Sequence, residues 1–338
     1  MTVPARDSAI DLIRVVALFC VVLVHTHLGK FESDTPTGLL ELLFFFVGKL
    51  GVPLFVMISG ALLLPKEDTY GDFYKKRLKK IILPWLVWAM LLLVYKMYSG
   101  MVITSSFLLT IKEFLIVLLS DFWFIPMILG LYLLTPYIRS VIFAKVPLHH
   151  LLLGWFAITS IAPSLYLSPL FPGSSSAGLF TLILSFLGYF VLGWYIRSYF
   201  LKTSLRLLLM LVVISAAIYV LGFTFFQGNA DATFFVLHDY FSPAIVVGSV
   251  ATFLILLQSA KSIMRIVPAT IIKLLSNSSY GIFLSHALIL SLVSSLMLSL
   301  ESEDNLFHWI IRAVLIYSIS ALVVLILTKP AALRKFFT

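Results

Sequence analysis

The chain has 338 residues, 61% of them hydrophobic and only 12% charged, with a mean hydropathy of +1.08. A water-soluble domain carries about 25% charged residues, so this composition excludes a soluble globule and points to lipid as the solvent. The net charge of +9 does not call for nucleic acid, because topology accounts for it below, and the single cysteine, Cys20, excludes a disulfide framework and a Cys-based metal site.

The apolar stretches run to about 20 residues without period-2 alternation, which selects helices over a transmembrane barrel. Ten spans are predicted in chain order: 8–29, 38–64, 81–98, 123–143, 148–167, 178–198, 205–225, 236–258, 275–298 and 309–328. The first resembles a signal peptide in having Arg6 ahead of its apolar run. Asp11 and Arg14 interrupt that run and no small-residue cleavage site follows, so it is read as a mature helix. The second is too long for a hydrocarbon slab of about 30 Å and holds Lys49, Gly51 and Pro53 at its centre, so it must tilt or break. Residues 105–119 are apolar but short and carry Lys112 and Glu113, which suits an interfacial or re-entrant helix. There is no internal repeat, and the expectation is one domain over 1–338 without an appended soluble domain.

Lys and Arg set the orientation, since cytoplasmic loops carry their excess. One set of connections holds Lys66, Lys75, Lys76, Arg77, Lys79 and Lys80, then Arg139 and Lys145, Lys202 and Arg206, and Lys261 and Arg265. The alternate set holds Lys30, Lys96 and Lys112, nothing basic in 168–177 or 226–235, and an acidic last loop with Glu301, Glu303 and Asp304. Arg6 and the trio Lys329, Arg334 and Lys335 place both termini with the basic set. The expected fold is all-α, a polytopic integral membrane bundle of about ten transmembrane helices with both termini cytoplasmic. Its expected place is the cell (inner or plasma) membrane.

Ionisable side chains inside a span are costly and usually face a partner or a cavity. The first span holds Asp11, Arg14, His25 and His27. Arg14 and His25 lie eleven residues apart, so they share a helix face to within about 20° at a separation of about 16 Å along the axis. Asp11 is one turn before Arg14, in reach of an i,i+3 pair. A blander arrangement fits the same spacing: Arg14 snorkels to cytoplasmic phosphates and His25 rests at the outer interface.

The stretch IDLIRVVALFCVVLVHTH resembles the opening of the membrane acyltransferase 3 family, whose mark is an Arg-x10-His first helix. Four further segments match in order. GVPLFVMISGALLL (51–64) resembles the family's Phe-x-x-x-Ser-Gly signature, here Phe55, Ser59 and Gly60. FYKKRLKKIILPW (73–85) resembles its basic run ending in Pro, and DFWFIPMILGLYLLTPYIR (121–139) its Trp-Phe…Leu-Tyr…Pro element. SNSSYGIFLSHALIL (276–290) resembles its late Ser-x-Gly-x-Tyr-x-x-His element, with Phe283 at the aromatic position. The chain departs from the pattern twice, with Asp121 where the family often has His and Pro53 at about the place of a common Asp.

The resemblance implies a stand-alone O-acetyltransferase acting on surface glycans. Its donor would be acyl-CoA, acetyl-CoA by default, a co-substrate and not a permanently bound cofactor; no metal is implied. The acceptor would be a hydroxyl of a cell-surface or lipid-linked glycan, and the other partners are membrane lipids, with a homo-oligomer left open. Acyl transfer from a thioester needs a base, an oxyanion site and alignment of the reactants. His25 suits the base, or a transient acyl carrier, with Arg14 the second catalytic candidate.

The basic run is first a positive-inside anchor. The sharper reading gives Arg77 and Lys80, with Lys76, to the CoA phosphates beside Arg14. Ser59 with Gly60 suits close helix packing or a donor contact. Topology gathers Glu41, Asp121, Trp123, His238 and Asp239 near the outer surface, where they would orient His25 or hold sugar hydroxyls, or else form an ordinary interfacial belt. His286, mid-span, calls for a structural hydrogen bond or a site role. A secondary transporter or flippase is the alternative from another class, although no pair of interrupted helices in corresponding halves supports it.

Overall fold

A computed structural model describes residues 7–27, 31, 35–144, 147–161, 178–199, 203–226, 239–297 and 306–338, without the side chains of Tyr70, Lys76, Leu296 and Met297. Among these residues every regular element is helical. Among the described residues nine helices are long and apolar enough to cross a membrane. Part of the fifth predicted span, with Arg6, Lys30, Lys145, Lys202, His238 and the acidic trio Glu301, Glu303 and Asp304, lies outside the described residues.

The chain divides into two compact units, Met1–Lys66 with Leu134–Ser276 and Glu67–Leu133 with Asn277–Thr338. The first unit holds α1 (Ser8–His25), α2 (Pro36–Lys49) and α3 (Gly51–Leu63). The second half of α6 (Phe124–Phe143) belongs to it, with α7 (Leu148–Phe156), α8 (Leu179–Ser198), α9 (Leu205–Phe226) and α10 (Pro243–Ile263). In it α1 packs on α2, α3 and α10, α3 runs along α8, and α9 runs along α10. The second unit holds α4 (Tyr70–Tyr98), α5 (Phe107–Ile116), the start of α6, most of α11 (Ala269–Met297), α12 (Leu306–Leu327) and the short α13 (Ala331–Phe337).

Local chemistry sets the helix ends. Asp7 caps α1 by accepting from the Ala9 N–H at 3.0 Å, and Thr35 caps α2 through the Gly38 N–H at 3.0 Å, ahead of Pro36. The expected break in the second span occurs at Leu50, between α2 and α3, where Pro53 has no N–H to return to the carbonyl of Lys49. α10 begins seven residues later than the predicted start of its span: Ser242 accepts from the Ile245 N–H at 3.2 Å and Pro243 takes the first helical position. The basic run after Thr69 lies inside α4, so this helix extends 11 residues before its predicted span, Tyr70 against residue 81.

Close helix contacts run through glycine. A Cβ on Gly60 would stand 1.7 Å from the Phe190 carbonyl oxygen, and one on Gly193 would stand 2.0 Å from that of Met57, so α3 and α8 meet backbone to backbone. Arg139, counted above among the loop cations, is instead 4% exposed and donates through Nε and Nη2 to the Leu63 carbonyl at 3.2 and 2.6 Å. It closes the C-terminus of α3, where carbonyls lack helical partners. In the second unit Tyr280 and Tyr95 tie α11 to α4 through the carbonyls of Ile81 and Ser291, at 2.8 and 2.9 Å.

Large apolar side chains also cover the outside. On α9, Met210, Val213, Ile218, Leu221 and Phe225 are all more than half exposed. Side chains of this kind along helices long enough to span a bilayer are solvated by lipid tails.

Candidate active site

α1 is unbroken from Ser8 to His25, so Arg14 and His25 keep their shared side on one continuous helix. The Arg14 end is held by a three-residue network. Arg14 Nη1 donates to Ser276 Oγ at 2.9 Å, Ser276 Oγ donates to Asp11 Oδ1 at 2.6 Å, and Arg14 Nη1 lies 3.6 Å from the same carboxylate oxygen. The Asp11 side chain is 9% exposed and the Arg14 side chain 25%, so the carboxylate is the more deeply buried of the pair. A snorkelling arginine would find its acceptors in lipid phosphate; this one finds them in protein. Below it, Asp7 pairs with Arg197 of α8 and fixes the start of the helix.

His25 occupies the last turn of α1 and is exposed. Thr26 ends the helix, its N–H reaching the Val22 carbonyl at 3.1 Å and its hydroxyl the Leu23 carbonyl at 3.0 Å. The junction of α2 and α3 presses on the same stretch of α1. A Cβ on Gly48 would stand 2.4 Å from Val24 Cγ2, and one on Gly51 would stand 2.7 Å from the Ala17 carbonyl oxygen. Lys49 lies between these two glycines, close enough to His25 for their charges to interact. Its ammonium sits 4.6 Å from the ring centre of Tyr240 and 5.4 Å from that of Phe45. Asp239 is the acidic group that acts on Lys49, and its Oδ1 accepts from the Tyr240 N–H at 2.6 Å.

Glu41 lies nearby in the same unit with its carboxylate 3.8 Å from His27 Nε2. The His27 ring stacks on Phe31 at 4.2 Å and meets Phe45 edge-on at 6.0 Å. The first unit therefore brings His25, Glu41 and Asp239 into one neighbourhood, with Lys49, Phe45 and Tyr240 between them.

The second unit gathers other expected residues. Asp121 ends a π-helical turn over Val117–Asp121 and forms a 2.6 Å ion pair with Lys96. Trp123 meets Phe124 edge-on at 6.2 Å, and Phe124 lies 5.3 Å from Phe283. His286, 5% exposed, directs Nδ1 at the Phe283 carbonyl. A carbonyl only accepts, so Nδ1 carries the proton in this contact.

Arg77 and Lys80 lie one turn apart on α4, Arg77 half-buried and Lys80 exposed; the Lys76 side chain lies outside the described residues. Ser59 donates to the Phe55 carbonyl of its own helix at 3.0 Å, beside the tight contact of Gly60.

Two residues of this arrangement escape the sequence reading. Ser276 opens the late motif but carries no ionisable group, and its partners are 262 and 265 positions away. Lys49 is visible as a charge inside a span, the usual mark of function, yet the neighbouring glycine and proline make it look like part of a helix break.

The acyltransferase 3 family model, described as an acyltransferase domain, matches residues 7–329. The chain belongs to the acyltransferase 3 family. No curated protein and no solved structure matches it. Family membership together with nine membrane-length helices among the described residues makes this a multi-pass membrane acyltransferase. Acyl transfer calls for a base and for stabilisation of developing charge, and this chain carries an anchored cation and an exposed imidazole on one continuous helix.

Proposed function

We propose that this acyltransferase moves an acyl group, acetyl by default, from cytosolic acyl-CoA to a hydroxyl of a cell-surface or lipid-linked glycan, with the site at Arg14 and His25. The observation that carries the reading is Arg14 anchored by Asp11 and Ser276 on the helix that ends in an exposed His25. The anchored guanidinium brings a fixed positive charge to the donor, and an imidazole is a side chain suited to accept a proton in general-base chemistry.

In this reading His25 accepts the proton of the acceptor hydroxyl as its oxygen attacks the thioester carbonyl carbon. The carbonyl π pair moves onto oxygen, the C–O bond forms, and collapse of the oxyanion breaks the C–S bond. The departing thiolate takes the proton from the imidazolium, leaving ester, free thiol and neutral His25. The covalent variant attaches the acyl group to His25 first, with the thiol leaving before the hydroxyl attacks. Arg77 and Lys80, with Lys76, serve the CoA phosphates. Asp239 and Glu41 order the outer end of the site, and Trp123 offers a stacking face to sugar. The protein spans the cell (inner or plasma) membrane with both termini cytoplasmic, which matches a cytosolic donor with an acceptor outside.

Labelled acetyl-CoA supplied to membranes containing the wild-type chain or His25→Ala tests this directly, with label followed into glycan, lipid and protein fractions. Label enters glycan or lipid only with the wild type. Equal incorporation by a correctly inserted His25→Ala chain would remove His25 from the chemistry, and no thioester loss with any acyl-CoA would return the protein to a transport role.

A further inference from the structure

Lys49 is a lysine at the middle of a membrane span, at the junction of α2 and α3. A charge there is expensive unless it has a task or a partner. Its surroundings are built: Gly48 and Gly51 let the junction press on α1 from Ala17 to Val24, immediately before His25. The ammonium is held by two ring faces, Tyr240 at 4.6 Å and Phe45 at 5.4 Å, and by the nearby charge of Asp239. The Tyr240 ring is itself fixed, because the Tyr189 hydroxyl donates to its carbonyl at 2.6 Å and its N–H donates to Asp239 at 2.6 Å.

Ring faces attract a cation but accept little from its N–H bonds. A lysine ammonium has three donors, and among the described residues none of those of Lys49 makes a hydrogen bond. A cation so placed beside an exposed imidazole, with its donors unspent, suits an oxygen that becomes negative only during reaction.

We propose that Lys49 is a catalytic residue whose ammonium stabilises the oxyanion formed on the acyl carbonyl, with Tyr240 and Asp239 as its positioning residues. The inference rests on the acyl-transfer reading with His25. When the acceptor oxygen adds to the carbonyl carbon and His25 takes its proton, the negative charge appears on the former carbonyl oxygen. Lys49 donates to that oxygen without giving up its proton, and the contact is released when the C–S bond breaks. Arginine preserves the charge there, whereas methionine keeps the length and removes it.

The test uses the full chain in membranes with native acceptor, measuring acetyl transfer from acetyl-CoA. Relative to wild type, Lys49→Met lowers the maximal rate by about 10²–10³-fold, the usual effect of losing one oxyanion donor, with the KM for acetyl-CoA within about threefold. Lys49→Arg keeps more than about a tenth of the rate. Lys49→Cys, treated with 2-bromoethylamine to rebuild a lysine-like ammonium, regains activity; Cys20, the chain's single natural cysteine, is buried and out of the reagent's reach. A correctly inserted Lys49→Met retaining more than about a third of the wild-type rate would overturn the proposal. If the methionine variant fails to insert, the cysteine variant decides, and aminoethylation that restores nothing to an inserted chain overturns the proposal equally. The parent reading fails separately: wild type without thioester-dependent transfer, or His25→Ala with full transfer, removes the reaction and Lys49's role in it.

Discussion

Ser276 is a small residue with a large consequence, because it bridges Asp11 and Arg14 with one hydroxyl. Hydrogen bonds to charged groups contribute about 1.5–3 kcal/mol, so removing this one frees the guanidinium to leave its productive position. Ser276→Ala is expected to lower kcat/KM for acetyl-CoA about tenfold or more, which corresponds to about 1.4 kcal/mol. Ser276→Thr, which keeps the hydroxyl, restores it. Steady-state kinetics on correctly inserted variants check this, and wild-type kinetics for Ser276→Ala would mean that the bridge does not position Arg14. At this scale the sequence exposes what is local. The Asp11–Arg14 pair follows from an i,i+3 spacing and is present at 3.6 Å. Its third member is invisible to spacing, because a neutral serine hundreds of residues away announces nothing. Likewise the 3.8 Å approach of the Glu41 carboxylate to His27, beside Phe31 and Phe45, is not readable from spacing, which offers only a place near the outer surface.

Among the elements, the α3–α8 contact has the least tolerance. Each helix places a glycine against the other's backbone, Gly60 at Phe190 and Gly193 at Met57, and neither backbone can move aside as a flexible side chain would. Gly60→Leu should force the helices apart at a cost of about 3 kcal/mol or more. Thermal unfolding in detergent would show it as a clearly lowered midpoint, alongside reduced inserted protein; an unchanged midpoint would contradict the contact. The packing half of the Ser59–Gly60 motif was therefore legible from small residues in an apolar span. Helix boundaries were legible where hydropathy changes sharply and less so elsewhere. The start of α10 follows from the Ser242–Pro243 cap and not from the apolar run, and α4 continues back through a polar segment because Thr69 and Asp72 cap it. Arg139 lies in a helix and not in a loop, a buried arginine that donates to the Leu63 carbonyl at a helix end, which a count of cations does not reveal.

For the molecule as a whole, composition decides most. A chain with 12% charged residues needs lipid around its helices, and the described helices duly expose leucine, valine, methionine and phenylalanine outward. The family follows from five motifs in order, and the match over residues 7–329 agrees with them. The division into two compact units was not legible, since each unit is built from stretches that are discontinuous in the chain. The most direct test of the whole account uses the purified full-length chain in phospholipid vesicles, given acetyl-CoA and a glycan-lipid fraction from its own membranes. Free CoA thiol and acceptor-bound acetyl are measured together. The account predicts equal amounts of both from the wild type, and a rate at least about 10²-fold lower from an inserted His25→Ala chain. Thiol release that is the same for both chains, or movement of glycan across the vesicle membrane without thioester loss, would contradict it.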